Sequence, residues 1–303
     1  PMSSIENHTQ IPERPDLIRL GLGIIGIGTS GPLIALSAMP VVTLIFWRNL
    51  GGALFTLPFA LSDLRNKDRH HRKALALSAL SGVVLALHFI GFFLAMRWTT
   101  VAAGTALVAL QPIFAALFVR LLGGNIPSRA WLGMGVSFIG VIMISGVDLS
   151  ISWLAFKGDV AAVISASLAA IYMLLGSQAQ KEIGTHSYTS ICYFVCALTA
   201  LPIALVAGFE VLHFAGKEWL ILLGLIAGAQ ILGHSMFNAA LKRVSPAIVS
   251  LIVFFEVPVS TLLAIWWLDQ RPHVALIPGI IVILTGCILV VLRTRPTGVM
   301  IDE

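Results

Sequence analysis

Glu256 is the only formal charge in an apolar run from Pro246 to Leu268, set in the order Phe-Phe-Glu-Val-Pro. A carboxylate within such sequence is costly to hold unless it faces a protein interior or a water-filled path. Two readings stand: a ligand-contacting or protonatable group, and a neutral or paired acid that bonds neighbouring helices. Pro258, two residues on, has no N–H and disturbs the helix that carries the acid. Arg48 lies inside another apolar run, roughly 10 Å along a helix at about 1.5 Å per residue, and a long side chain recovers only part of that depth by snorkelling. It can meet a carboxylate on a ligand, pair with Glu256, or snorkel, with the Asn49 amide beside it.

Imidazoles come next. His88 and His234 each sit well inside an apolar run, 146 positions apart (88 to 234). Gln230, His234 and Asn238 follow at i, i+4 and i+8, one polar stripe on a helix. A stripe of that kind faces a cavity or another helix rather than lipid. Ser165, Ala169, Tyr172 and Gly176 place one phenol among small residues at helical spacing, a face able to stack on a flat ligand or simply to pack. Cys192, Cys196 and Cys287 lie in apolar runs with no His or Cys cluster to complete a metal set, so no metal and no cofactor is expected.

The elements that position these groups repeat. Met96-Arg97 matches Leu241-Lys242, Ala102 matches Ala247 and Gln111 matches Glu256, all at a spacing of 145 (111 to 256). One residue of slip then pairs Pro112 with Pro258, Gly133 with Gly279 and Gly140 with Gly286. A chain of 303 residues, 58% hydrophobic, 11% charged and of mean hydropathy +0.95 is far from the roughly 25% charge of a soluble domain. It is read as an all-α integral membrane protein. Ten spans are expected: Leu17–Ser37, Val41–Leu61, Ala74–Met96, Val101–Leu122 and Ala130–Val147, then Gly158–Gln180, Tyr188–Gly208, Trp219–Leu241, Ala247–Leu268 and Ala275–Leu292. These make two five-helix repeats, 17–148 and 157–292, between a disordered polar leader (1–16) and a tail (293–303). Helix breaks or hinges are expected at Gly31, Pro32, Pro112 and Pro258, and Gly224 with Gly228 forms a small-xxx-small pattern for close helix approach.

Charge sets the orientation. Of 19 Lys and Arg residues, only Arg97, Lys157, Lys217 and Arg271 fall outside if both termini are cytoplasmic, with Arg48 within a span. The basic pI of about 9.4 therefore reflects membrane topology and not a nucleic-acid partner. Five helices per half invert the second repeat relative to the first, an arrangement that supports alternating access around a central cavity. Trp98, Trp219, Trp266 and Trp267 lie near span ends as interfacial anchors. No nucleophile elbow, HExxH or phosphate-binding loop occurs, so enzyme chemistry and direct nucleotide drive have no basis.

With these stretches in view, the chain resembles the drug/metabolite transporter superfamily, in the group built from two EamA-type repeats. The residues that carry the likeness are Phe-Trp-Arg-Asn at 46–49, Met96 to Pro112 ending in Leu-Gln-Pro, Ala170-Ile171-Tyr172, Leu241 to Pro258, and Gly279 to Gly286. Within it the chain is most similar to bacterial aromatic amino acid exporters. The resemblance implies a monomeric inner-membrane carrier among lipids that exports Phe, Tyr, Trp or related amphiphiles, cationic drugs included. Arg48 falls on the family's second-helix arginine, and Pro112 and Pro258 fall on its mid-helix prolines. The cavity expected from the residues is lined by Arg48, His88, Gln111, Tyr172, Gln230, His234, Asn238 and Glu256. The alternatives are export of another metabolite and, in a different class, a membrane channel.

Overall fold

The computed structural model describes residues 14–65, 72–241, 243–244, 249 and 252–291, and these are helical with short connections. The leader before residue 14, Lys67, Arg69, Lys242, Pro246, Ala247 and the tail from 293 lie outside the described residues. Apolar sequence of this density takes helical form because a helix satisfies its own backbone where no water is present. Eight helical segments, some of them interrupted, are long and apolar enough to cross a membrane among the described residues, and two shorter apolar helices, Glu256–Leu268 and Leu276–Val291, accompany them. Apolar side chains such as Leu122, Val206 and Trp266 stand largely exposed, a surface suited to lipid.

The chain runs α1 (Arg14–Gly28), α2 (Ser30–Leu36), α3 (Val41–Arg65), α4 (Arg72–Trp98), α5 (Val101–Val108), α6 (Gln111–Leu121) and α7 (Ser128–Ile151). It continues through α8 (Trp153–Ala179), α9 (Thr185–Val206), α10 (Gly216–Gly224), a π-helical stretch (Leu225–Ser235), α11 (Met236–Leu241), α12 (Glu256–Leu268) and α13 (Leu276–Val291). Three segments expected as continuous spans are interrupted, and proline chemistry locates each interruption. A proline ring clashes with the carbonyl four residues earlier and removes the bond to it. Pro32 points back to Gly28, where α1 ends; Pro112 points back to Val108, where α5 ends; Pro258 points back to Phe254, where the helix turns before α12. Pro40 likewise points back to Leu36, the end of α2. The breaks thus fall upstream of the prolines, at Thr29, Ala109–Leu110 and Phe254–Phe255, while Gly31, Pro32, Pro112 and Pro258 sit in the first turn of the helix that follows. Pro58 and Pro202 lie inside unbroken helices.

Other expectations also shift. Residues 14–16 begin α1 instead of belonging to a disordered leader, because Asp16 is buried in ion pairs with Arg19 (3.1 Å) and Arg243 (3.2 Å). The join between the halves is a single extended residue, Ser152, whose hydroxyl caps α8 by accepting from the Ala155 N–H at 3.1 Å. Gly228 sits at a close helix approach, where a Cβ on Gly26 would strike its carbonyl, while Gly224 meets the Leu33 side chain, 3.3 Å from a Cβ built on it; Gly233 adds a further approach, its Cβ 2.9 Å from the Ile27 nitrogen.

The last helix of each half packs on the other. A Cβ on Gly133 would lie 2.5 Å from the Gly286 oxygen, and one on Gly140 would lie 3.0 Å from the Gly279 oxygen. Elsewhere α4 packs on α8 and α9, α3 on α9, and α1 on the π-helical stretch, while α12 meets α1, α2 and α5. The broken segments therefore adjoin one another. Ser260 of α12 donates to the Gly28 carbonyl at the first break (2.8 Å).

Candidate functional site

Beside these breaks lies a small cavity of about 40 Å³. Its polar lining is His88, Gln111, Tyr172, His234, Asn238 and Glu256; Phe92, Phe237, Met173, Ala169, Ile27, Val108, Val249 and Val253 complete the wall. The structure thus brings together six of the eight side chains expected to line a cavity. Arg48 and Gln230 lie behind the wall.

Each polar group has a distinct support. His88 is held by α8: its Nδ1 is 2.9 Å from the Ser165 carbonyl and 2.9 Å from Ser165 Oγ, and Ser165 Oγ donates back to the His88 carbonyl (2.9 Å). A carbonyl partner assigns the proton to Nδ1 and leaves Nε2 an acceptor. The His88 ring stacks on Phe92 at 6.1 Å and 5°. His234 stands edge-on to Phe89 (5.1 Å) and Tyr172 (6.3 Å). The Tyr172 hydroxyl donates to Asn238 Oδ1 (3.1 Å), and Asn238 Nδ2 reaches both Tyr172 (2.8 Å) and Tyr193 (3.4 Å). Gln111 and Glu256 open their respective helices, where the proline breaks turn them to the cavity.

Arg48 is wholly buried. Its Nε donates to Gln230 Oε1 (2.7 Å) and its Nη1 to Ser30 Oγ (3.1 Å), while Gln230 Nε2 donates to Asn49 Oδ1 (2.8 Å). The guanidinium carbon lies 4.4 Å over the Phe89 ring and 5.6 Å from that of Phe93, and Nη2 has no hydrogen-bond partner among the described residues. Of the three readings of this residue, an ion pair with Glu256 is absent among the described residues, and snorkelling is ruled out by its burial. The structural role is a cation tied to a neutral polar network and covered by aromatic faces.

The polar stripe of Gln230, His234 and Asn238 does face inward, but Gln230 and His234 lie in the π-helical stretch and Asn238 in α11, with Ser235 Oγ donating to the Gln230 carbonyl at 3.1 Å. Of the Tyr172 face, Ala169 and Tyr172 reach the cavity, Ser165 holds His88, and Gly176 receives the Tyr188 ring. The aromatic walls Phe92 and Phe237 escaped the residue-type reasoning. They stand 145 positions apart (92 to 237), so the repeat itself marks them.

At the far ends of α2 and α3 the chain's halves are joined by polar contacts. Glu218 accepts from Ser37 Oγ (2.7 Å) and the Ala38 N–H (2.9 Å), and Gln270 Oε1 accepts from the Val101 N–H (2.8 Å). Thr43 Oγ1 donates to the Glu210 carbonyl (2.7 Å), and Trp47 Nε1 to the Val211 carbonyl (2.8 Å). Trp266 stands exposed, as an interfacial anchor would, whereas Trp219 packs edge-on against Trp47 at 5.5 Å.

Comparison with known proteins places this architecture. A family model described as the EamA-like transporter family matches residues 17–146 and 156–292. An "uncharacterized transporter" of Archaeoglobus fulgidus is 27% identical over 218 residues, 71% of this chain and 74% of that protein. The pseudopaline exporter CntI of Pseudomonas aeruginosa is 24% identical over 260 residues, 84% of this chain and 87% of its own length. A solved crystal structure superposes with a TM-score of 0.63 at 17% identity, over 92% of this chain and 98% of that one, a likeness of fold.

Proposed function

This chain belongs to the EamA-like transporter family, and from that premise we propose that it is a secondary exporter of small aromatic amphiphiles, aromatic amino acids among them, working by alternating access. It is a multi-pass membrane protein and a transporter, not an enzyme. In this reading ten helices cross the cell inner membrane in two inverted five-helix repeats, residues 17–148 and 157–292. Both termini are cytoplasmic, and the carrier acts as a monomer among lipids. The observation that carries the reading is that repeat-related residues face one space: Phe92 with Phe237 and Gln111 with Glu256 all line the same cavity, with His88 and His234, one position out of that register, beside them.

Other contacts support the same symmetry. Gly133 matches Gly279 and Gly140 matches Gly286 in sequence, yet Gly133 packs on Gly286 and Gly140 on Gly279. Such crossed pairing is what a two-fold relation between halves produces. The two separate family matches support two repeats, and the relative named as an exporter supports outward transport. The end joined through Glu218, Gln270, Thr43 and Trp47 is then the outer one, closed in this conformation, and alternation requires these bonds to open. His88, Tyr172, His234, Asn238 and Glu256 contact the solute between Phe92 and Phe237.

Counterflow in proteoliposomes tests the reading, using labelled phenylalanine and labelled tyramine with a panel of aromatic competitors. Saturable exchange of aromatic solutes is expected. Absence of saturable flux for every aromatic amino acid and amine rejects it.

A further inference from the structure

Within the cavity the charges are unequal. Among the described residues Glu256 is the one carboxylate in the lining, 6% exposed, and no hydrogen bond or ion pair to it occurs. The lining holds no Lys or Arg among the described residues. Arg48, the cation that would answer a solute carboxylate, acts on Glu256 only through space. Its guanidinium is fully enclosed, with Nε and Nη1 engaged by Gln230 and Ser30 and its face covered by Phe89. A solute carboxylate entering this chamber meets Glu256 without a contacting cation, and burying an unpaired charge is strongly unfavourable. An ammonium meets the Glu256 carboxyl group and supplies the charge partner that it lacks among the described residues, beside aromatic faces that attract cations.

Resting on the transport reading above, we infer that the cavity selects by charge: it takes arylalkyl solutes with one ammonium group and no carboxylate, the ammonium on Glu256 and the ring between Phe92 and Phe237. The amino group of an aromatic amino acid makes the same contact, but its carboxylate is left without one. Each aromatic amine is therefore a better ligand than the amino acid that shares its ring.

Equilibrium binding of radiolabelled tyramine to the purified full chain, at one fixed pH, tests this apart from flux. Displacement is compared within matched pairs: tyramine with tyrosine, phenethylamine with phenylalanine, tryptamine with tryptophan. The amine is expected to displace at a concentration at least tenfold lower than its amino acid in all three pairs. Glu256→Gln is expected to bring each ratio close to one, and Glu256→Asp to keep the order of preference. Amino acids that displace as well as or better than the amines overturn the inference, and so does a failure of tyramine to bind. Either result leaves the transport reading standing if amino acid flux is saturable in vesicles. An absence of flux for both classes overturns the transport reading itself.

Discussion

Gly133 and Gly135 lie two residues apart on α7, yet alanine at the two positions should have opposite effects. A Cβ at Gly133 would lie 2.5 Å from the Gly286 carbonyl oxygen and 3.0 Å from the Val290 nitrogen, both backbone atoms that no rotamer can move. Ordinary contact begins at 3.4 Å, so α7 and α13 must separate locally by 0.9 Å (3.4 minus 2.5). A gap of that size forfeits roughly a quarter to a half of the dispersion well for each atom pair it opens, and overpacking of this kind costs about 1–3 kcal/mol. At Gly135 a Cβ meets nothing within 4 Å, so only helix propensity changes, in favour of alanine by about 0.5–1 kcal/mol. Thermal unfolding of purified protein, followed with a thiol-reactive dye, reads the difference, because Cys192, Cys196 and Cys287 are all buried and free. Cys287 itself lies at the interface, 3.7 Å from Ser137. Gly133→Ala should lower the midpoint by roughly 2–12 °C, taking about 2–4 °C per kcal/mol, and Gly135→Ala should leave it unchanged or slightly raised. Equal midpoints for the two variants would refute the close approach of α7 and α13.

Two further perturbations address the end joined by polar contacts. Glu210 lies in the exposed loop after α9, and its Oε1 accepts from the backbone N–H groups of Leu212 (2.8 Å), His213 (3.0 Å) and Val211 (2.9 Å), and from the His213 ring (3.2 Å). Led by the Leu212 and His213 amides, these bonds lower its pKa to about 2. A depressed carboxyl pKa means stabilisation that is complete above the unfolded value of about 4.3 and is lost as pH falls toward 2. Hydrogen exchange at Val211, Leu212 and His213, corrected for intrinsic rate, should therefore lose protection between about pH 5 and pH 2 in the parent. It should be low and flat in Glu210→Gln; parallel profiles would contradict this account. Glu218→Ala removes the acceptor for Ser37 and Ala38, charge-assisted bonds worth about 1.5–3 kcal/mol each. Maleimide modification of a cysteine placed at the wholly buried Met39 should accelerate by about a hundredfold in that variant, since two such bonds amount to about 3 kcal/mol at the low end; an unchanged rate would show that Glu218 does not hold this end closed.

Sequence made some of this structure legible to the residue and left other parts invisible. Helix ends at Gly28, Leu36 and Val108, and the turn at Phe254, follow from prolines four positions later, because the clash is local and needs no neighbour. Pro58 and Pro202 obey the same chemistry without a break, so packing around them decides. Which apolar residue lines the cavity is hidden for a different reason. In a membrane the lipid-facing side is as apolar as the core, and Phe92 at 5% exposure reads like Phe55 at 52%. The enclosure of Arg48 depends on Phe89 and Phe93, which arrive from α4, and the composition of the π-helical stretch does not distinguish i+5 from i+4 winding.

The prolines also explain how the two halves of the chain are bound to each other. With no N–H on Pro32, the Gly28 carbonyl lacks its helical donor, and Ser260 from the second half supplies one at 2.8 Å. Beside Pro112, the Ile113 N–H turns to the Leu110 carbonyl (2.9 Å), and the Ala109 carbonyl it would have met receives the Cys287 thiol at 3.5 Å. Bonds that a continuous helix would keep within itself are thereby replaced by side-chain bonds between halves. An internal helical bond breaks only when the helix unwinds, whereas a side-chain bond to a freed carbonyl breaks when two rigid pieces part, at a cost near 1 kcal/mol. The broken segments adjoin the cavity, with Gln111 and Glu256 opening the helices that follow two of the breaks. A relative shift of the halves therefore alters the lining directly, without melting any of the long helices that hold the remaining walls.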